Sequence, residues 1–121
     1  MKYLCLRYRD ERAWSELPIG QRQALRREMI DYHELLRHNG SCVEVKALPS
    51  FQTATTLRFE KGSVSISEGP VAVEREQLGA ILVIEAMDLN RAIQLLSQSP
   101  CMRVGGSIEI RPMSGEPITT E

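Results

Sequence analysis

The chain has no excess of charge of one sign, and this argues against nucleic acid as a partner. Its 15 basic and 16 acidic residues give a formal net charge of −1, and the two kinds are interleaved along the chain. Binding to a nucleic acid backbone requires a concentrated basic face. The same even distribution gives no reason to expect an anionic membrane surface as a partner.

Long apolar runs and paired cysteines are also missing. The longest unbroken apolar run covers residues 80–84, far below the roughly 20 residues that cross a bilayer. The amino-terminal segment is charged by Arg7, so we do not interpret it as a signal peptide. Cys5, Cys42 and Cys101 are odd in number and far apart, which is typical of small core residues in a reducing compartment. The expected location is the cytoplasm.

The patterns that are present predict one α+β domain. A length of 121 residues with 42% apolar and 26% charged residues suits a single globular core. Alternation predicts strands at residues 2–8, 41–48, 78–86 and 107–111, and a β-hairpin from residues 53–59 and 63–67. Helices are expected at residues 10–17, 21–38 and after Asp88. This order predicts a ferredoxin-like split βαβ fold with a hairpin insert, whose antiparallel sheet carries the helices on one face.

Both main helices have an apolar stripe that predicts which face is buried. In the long helix the apolar side chains recur at spacings of four, three and four: Leu25, Met29, Tyr32 and Leu36. The helix after Asp88, which we expect Asp88 to cap, has inward-facing candidates at similar spacing: Leu89, Ala92, Ile93 and Leu96.

Between the hairpin and the third of the main-sheet strands lies an unusual segment, residues 68–79. It begins with Glu68, Gly69 and Pro70 and ends with Arg75 and Glu76 followed by Gln-Leu-Gly. This order resembles the signature of the YCII-related family, in which Asp-Gly-Pro-Phe precedes a charged segment ending in Lys-Glu-x-Leu-Gly. The resemblance covers residues 1–113 as one domain and leaves residues 114–121 as a polar tail. It implies the dimeric α/β-barrel superfamily, in which two sheets meet face to face in a homodimer.

The segment departs from the family pattern at four positions. Glu68 stands where the family has Asp, Val71 where it has Phe, and Val73 where it has Glu, while Arg75 replaces Lys. The extra methylene of Glu68 moves its carboxylate by roughly an ångström, which is enough to disturb catalytic geometry. We therefore expect the loop to keep its shape while its chemistry differs.

Two side chains are candidates for acid–base chemistry. Glu68 lies directly before the Gly-Pro turn, and His33 lies at the edge of the apolar stripe of the long helix. Each also has a structural interpretation, as a turn acid or as a packed histidine. Candidate binding residues for a small polar or anionic molecule lie in the signature or on strands: Gly69, Pro70, Arg75, Glu76, Tyr8 and Arg58.

Metal and cofactor sites are not expected. His33 and His38 are five residues apart, about 140° around a helix, so they cannot share a metal. No phosphate loop or nucleophile elbow is present in the sequence. The function predicted is binding of, or acid–base action on, a small organic molecule by a homodimer. The alternative is a non-catalytic accessory module of a sigma-factor-like transcription protein, which the resemblance implies because some relatives are encoded beside such proteins.

Overall fold

The computed structural model describes residues 1–115, so residues 116–121 of the expected tail lie outside it. Two short 3₁₀ segments, Phe51–Thr53 and Pro100–Val104, accompany the main elements. The strands and helices run in the following order: β1 Lys2–Asp10, α1 Glu11–Glu16, α2 Ile19–His38, β2 Cys42–Ala47, β3 Thr55–Glu60, β4 Ser63–Glu68, β5 Glu76–Glu85, α3 Leu89–Leu96 and β6 Ser107–Pro112.

The main sheet confirms the predicted ferredoxin-like topology. Its strand order is β2-β5-β1-β6, and each neighbouring pair is antiparallel. Strands β3 and β4 form a separate two-stranded sheet, which is the predicted hairpin insert. Each βαβ half contributes one central and one edge strand of the main sheet, so the two central strands β1 and β5 are surrounded by neighbours.

The hydrophobic core lies on the face of the sheet that carries the helices. Alternate residues of β1 and β5 point toward it, and the deepest are Cys5, Leu82 and Ile84. Leu36 of α2 and Leu96 of α3 close the core from the other side. The opposite face of the sheet carries apolar side chains that are only half-buried: Leu4, Leu6, Ile81 and Val83.

The predicted caps and helix faces are largely confirmed. The Asp88 carboxylate accepts a hydrogen bond of 2.8 Å from the backbone N–H of Arg91 at the start of α3. Ala92 is buried, but Leu89 and Ile93 remain 47% and 44% exposed. The prediction was wrong for these two, because the face of α3 that packs against the core carries Ala92, Leu95 and Leu96 instead.

No helix in residues 1–115 is long and apolar enough to cross a membrane. All three cysteines are free thiols, with Cys5 and Cys42 buried and Cys101 partly exposed. Burial raises the pKa of Cys5 to about 11, so this thiol stays protonated at neutral pH.

Candidate functional site

A cavity of about 360 Å³ lies between α2 and the amino-terminal strand β1. Its walls are mainly apolar, with Leu25, Met29 and Ile30 contributed by α2. This volume and this composition are typical of pockets for small molecules. The cavity wall also carries charged side chains, and these determine which ligands it can bind.

Two glycines shape the cavity. The register of β1 against β5 shifts between Arg7 and Tyr8, opposite Gly79, and this bulge lies at the cavity wall. At Gly106 a Cβ atom would lie 3.1 Å from the carbonyl oxygen of Cys101 and 3.2 Å from that of Tyr8. Glycine at position 106 therefore lets the 3₁₀ segment approach β1 and close one end of the cavity.

Arg7 and His33 meet inside the cavity. The guanidinium Nη1 of Arg7 lies 3.2 Å from the imidazole Nε2 of His33. Burial lowers the pKa of Arg7, although a guanidinium remains charged at neutral pH. Within residues 1–115, no carboxylate forms an ion pair with Arg7. The cavity thus holds a partly desolvated positive charge whose hydrogen-bond partner is an imidazole.

Burial and this contact together keep His33 neutral. Burial, then the positive charges of Arg7 and Arg37, lower the pKa of His33 to about 4. His33 is therefore neutral at pH 7, and Nε2 is its lone-pair acceptor because Arg7 donates to it. The proton of the neutral ring is then assigned to Nδ1.

Further positive charges line the mouth of the cavity. The Arg9 guanidinium lies 5.0 Å from the centre of the Trp14 ring, and that of Arg26 lies 5.6 Å from it. Arg9 also donates to the carboxylate of Glu11 at 3.2 Å. Among residues 1–115, the cavity wall includes Arg7, Arg9 and Arg26 and no acidic side chain, so its electrostatic potential favours an anion.

The structure brings some of the predicted site residues together at a second, more open cavity. Tyr8, Arg75 and Glu76 line it, and Tyr8 also lines the first cavity. Arg75 Nε lies 2.8 Å from the Asp10 carboxylate. The N–H of Ala13, followed by the charge of Arg75, lowers the pKa of Asp10. Here the charges of Arg75 and Asp10 balance each other within the protein.

The other predicted residues lie outside both cavities within one chain. Glu68 is exposed at the end of β4, and Gly69 has the positive φ of +99° that favours glycine at this turn. The hydroxyl of Thr56 donates to the carbonyl of Gly69 at 2.7 Å. Arg58 donates to the carbonyl of Val71 at 3.0 Å, so its guanidinium is bound by the loop itself.

Two residues with clear roles were not predicted from the sequence. Arg7 supplies charge to the first cavity, and the buried Gln77 holds the signature loop. A signal for Arg7 was present, because alternation placed it on the same strand face as Tyr3 and Cys5. A charged residue on the core-facing side of a strand indicates a buried cation or a cavity.

Known proteins resemble this chain along nearly its whole length. The model of the YCII-related domain matches residues 1–114. The chain belongs to the YCII-related family. An uncharacterized protein of Rhizobium meliloti (strain 1021) is 27% identical to this YCII-related chain over 115 residues, covering 94% of the chain and 93% of the relative.

A solved structure shares the fold of this YCII-related chain. It is 5-chloro-2-hydroxyhydroquinone dehydrochlorinase from Burkholderia phenoliruptrix AC1100, in complex with 2,5-dihydroxybenzoquinone. The two have a TM-score of 0.53 and 16% sequence identity, covering 95% of this chain and 96% of the other. At this identity the likeness establishes the fold alone.

Proposed function

We propose that this YCII-related protein binds a small organic anion in the cavity between α2 and β1, with Arg7 as the anchoring cation. The observation that carries the proposal is the position of Arg7, half-buried beside a neutral His33 and without a carboxylate partner among the described residues. A partly desolvated charge is unfavourable unless an opposite charge accompanies it. An anion entering the cavity supplies that charge.

The ligand class follows from the shape and chemistry of the walls. A guanidinium presents a planar fork of N–H donors, which suits two neighbouring oxygens that share a negative charge. The apolar side chains Leu25, Met29 and Ile30 then contact the hydrocarbon part of the same molecule. A carboxylate or an ionised hydroxyquinone on a small ring has both features. The hydroxyquinone bound to the dehydrochlorinase of the same fold supports this class.

The enzymatic version of the proposal gives His33 an acid–base role. His33 lines the cavity, and after burial the positive charge of Arg7 is the next reason that its pKa is low. A bound anion offsets this charge, so the pKa of His33 rises when the cavity is occupied. A base that becomes stronger when substrate binds suits proton transfer near neutral pH. Glu68 remains the second group proposed from the sequence, and a single chain places it outside the cavity.

Isothermal titration calorimetry with 2,5-dihydroxybenzoquinone at pH 7 tests the binding proposal, with benzoate as a second probe. The variant Arg7→Met keeps the length and apolar stem of the side chain and removes the charge. We expect it to weaken binding by about 30-fold or more, since truncating one partner of a buried charged contact costs about 2 kcal/mol or more.

The matched control is Arg91→Met, which makes the same change on exposed α3, away from the cavity. It should bind as the natural chain does. Equal affinity of the Arg7→Met and natural chains for the quinone would exclude Arg7 as the anchor. Binding by neither chain to either probe would remove the proposed ligand class.

We also propose that the protein is a homodimer in which the open faces of two main sheets meet. The support is the composition of this face, where half-buried apolar residues occupy the central strands. Charged residues on the edge strands flank them and pair along each strand: Glu44 with Lys46 and Glu109 with Arg111. An apolar centre with a charged rim is the usual anatomy of a protein–protein interface.

A further inference from the structure

The hairpin insert has one apolar face and one polar face. Leu57 pairs with Ile66 and Phe59 pairs with Val64 across the two strands. Because side chains alternate between the faces of a strand, these four lie on the same side. Thr56, which is buried, lies on the other side together with Arg58, Ser65 and Ser67.

The apolar face is uncovered in the single chain. Leu57 is 65% exposed, Phe59 75%, Val64 60% and Ile66 73%. No other element of residues 1–115 is packed over these side chains, since each keeps well over half of its surface. Isolated exposed apolar residues are common in proteins, but four adjoining large ones form a contiguous patch, and the largest patch of a chain often marks an interaction site.

The opposite face of the hairpin is attached to its own chain. Thr56 and Arg58 donate to the carbonyls of Gly69 and Val71 in the signature loop. These contacts hold the polar face against the loop and leave the apolar face directed away from it. The hairpin is therefore positioned to present Leu57, Phe59, Val64 and Ile66 to another molecule.

We propose that the apolar face of the β3–β4 hairpin docks on a second copy of this chain, forming an interface in addition to the sheet-to-sheet contact. The proposal deepens the proposed homodimer. Each face exposes roughly 500 Å² of apolar surface, so two of them bury about 1,000 Å² when they meet, the size at which specific interfaces begin. Added to the sheet faces, this area brings the pair into the range of stable dimers.

The chemistry of the face favours an identical partner. The centre of the patch contains no charged group that would select a different protein by complementary charge. Two pleated apolar faces of the same spacing can interdigitate about a two-fold axis, as in a sandwich of sheets. Glu68 lies on the same side at the base of the hairpin, beside Thr55, and marks the polar rim of the patch.

The test compares two neighbouring positions of β4 that point to opposite faces. Ile66→Asp places a charge in the middle of the apolar face, and Ser65→Asp places the same charge on the polar face. Both positions are exposed, so both variants are expected to fold. Sedimentation velocity and multi-angle light scattering across the micromolar range give the dimer dissociation constant for each chain.

We expect a dimer for the natural chain and for Ser65→Asp. For Ile66→Asp we expect a dissociation constant raised by about 30-fold or more, as for a charge placed at the centre of an apolar interface. Far-ultraviolet circular dichroism and binding of 2,5-dihydroxybenzoquinone, both unchanged, would show that the variant is folded. Leu57→Asp, on the paired strand, should repeat the effect.

Two results would overturn the proposal, and they differ in what they leave standing. If Ile66→Asp and Leu57→Asp dimerise as tightly as Ser65→Asp, the hairpin is not part of the interface, while dimerisation through the sheet faces stands. If the natural chain remains a monomer throughout the micromolar range, both the hairpin interface and the proposed homodimer are excluded. Neither result affects the anion site, which is measured separately by calorimetry.

Discussion

The α2–β1 cavity and the signature loop of residues 68–79 use polar groups in opposite ways. In the loop, backbone carbonyls are bound by side chains of the same chain: Gln77 reaches those of Ala72 and Glu74, and Thr56 and Arg58 reach two more. In the cavity, Arg7 and His33 face open space and hold each other. The loop satisfies its own polar groups, whereas the cavity leaves donors available for a ligand.

The difference shows that the most recognisable segment of the chain need not contain its chemistry. The loop is distinctive because a Gly-Pro turn, a buried amide and a glycine at a bulge are needed to lead the hairpin into β5. The lowered pKa values of Arg7 and His33 lie in the cavity instead. Perturbed titrating groups that line a cleft are more often functional than satisfied turn residues.

The largest expected change in the free energy of unfolding comes from the signature loop, through the loss of Gln77. Gln77 is 6% exposed, and its Nε2 donates to the carbonyl of Glu74 at 2.8 Å and that of Ala72 at 3.4 Å. Gln77→Leu keeps the size of the side chain and leaves these carbonyls without their donor. We expect the free energy of unfolding in urea to fall by about 2 kcal/mol, since two hydrogen bonds of about 1 kcal/mol each are lost.

The loss of stability in Gln77→Leu should not change the ligand affinity of the cavity. Affinity for 2,5-dihydroxybenzoquinone at a temperature where Gln77→Leu is folded is expected to match that of the natural chain. The control Glu74→Gln changes an exposed neighbour and should alter stability by less than about 0.5 kcal/mol. A Gln77→Leu chain as stable as the control would mean that the loop is held by other contacts.

The sequence predicts the fold well because its evidence is local and periodic. The apolar spacing of Leu25 and Leu36 along α2 indicates which side of that helix is buried, and the alternation along β1 identifies a strand. Antiparallel pairing of such elements leaves few possible topologies. Errors arise where burial depends on the neighbours, as at Ile93, which has helical spacing but no element over it.

The cavity could not be predicted to the same extent, because it depends on distances between elements. His33 was a candidate by residue type alone, and its low pKa results from packing α2 beside Arg7 of β1. The space itself depends on how closely the Gly106 segment approaches β1. No periodicity in the sequence encodes these separations. Glu68, which the motif made conspicuous, remains a prediction whose test requires a substrate.

The next largest expected effect is the loss of stability that His33 causes as the pH falls. Its pKa is about 4 in the folded chain and 6.5 in the unfolded reference, so between these values the unfolded state binds more protons. The stabilisation is therefore complete above pH 6.5 and is lost as the pH falls to 4. The natural chain therefore loses stability between pH 6.5 and pH 4 that His33→Gln does not lose. With allowance for solvent screening of a partly exposed ring, we expect this difference in the free energy of unfolding to be about 1–2 kcal/mol.

Urea unfolding of the natural chain and His33→Gln at several pH values between 7 and 4 measures this difference. The matched control is the same substitution at exposed His38, which lies on the same helix and outside the cavity. Parallel profiles for the natural chain and His33→Gln would show that His33 titrates normally in the fold. In that case His33 in the cavity would have the pKa of a solvent-exposed histidine.

The smallest expected change in the free energy of unfolding is a stabilisation, opposite in sign to the change expected for Gln77→Leu in the loop. Because Arg7 is a half-buried cation without a carboxylate partner in residues 1–115, replacing it with an apolar side chain of similar length removes a desolvation cost. We expect Arg7→Met to raise the free energy of unfolding by about 1 kcal/mol in the absence of ligand, measured in urea at pH 7 against Arg91→Met. A ligand-free protein destabilised by Arg7→Met would show that Arg7 holds α2 to the sheet. Stabilisation together with lost binding would show instead that the charge of Arg7 lowers the stability of the ligand-free chain and serves to bind the ligand. Gln77 differs, because it stabilises its loop and does not take part in binding.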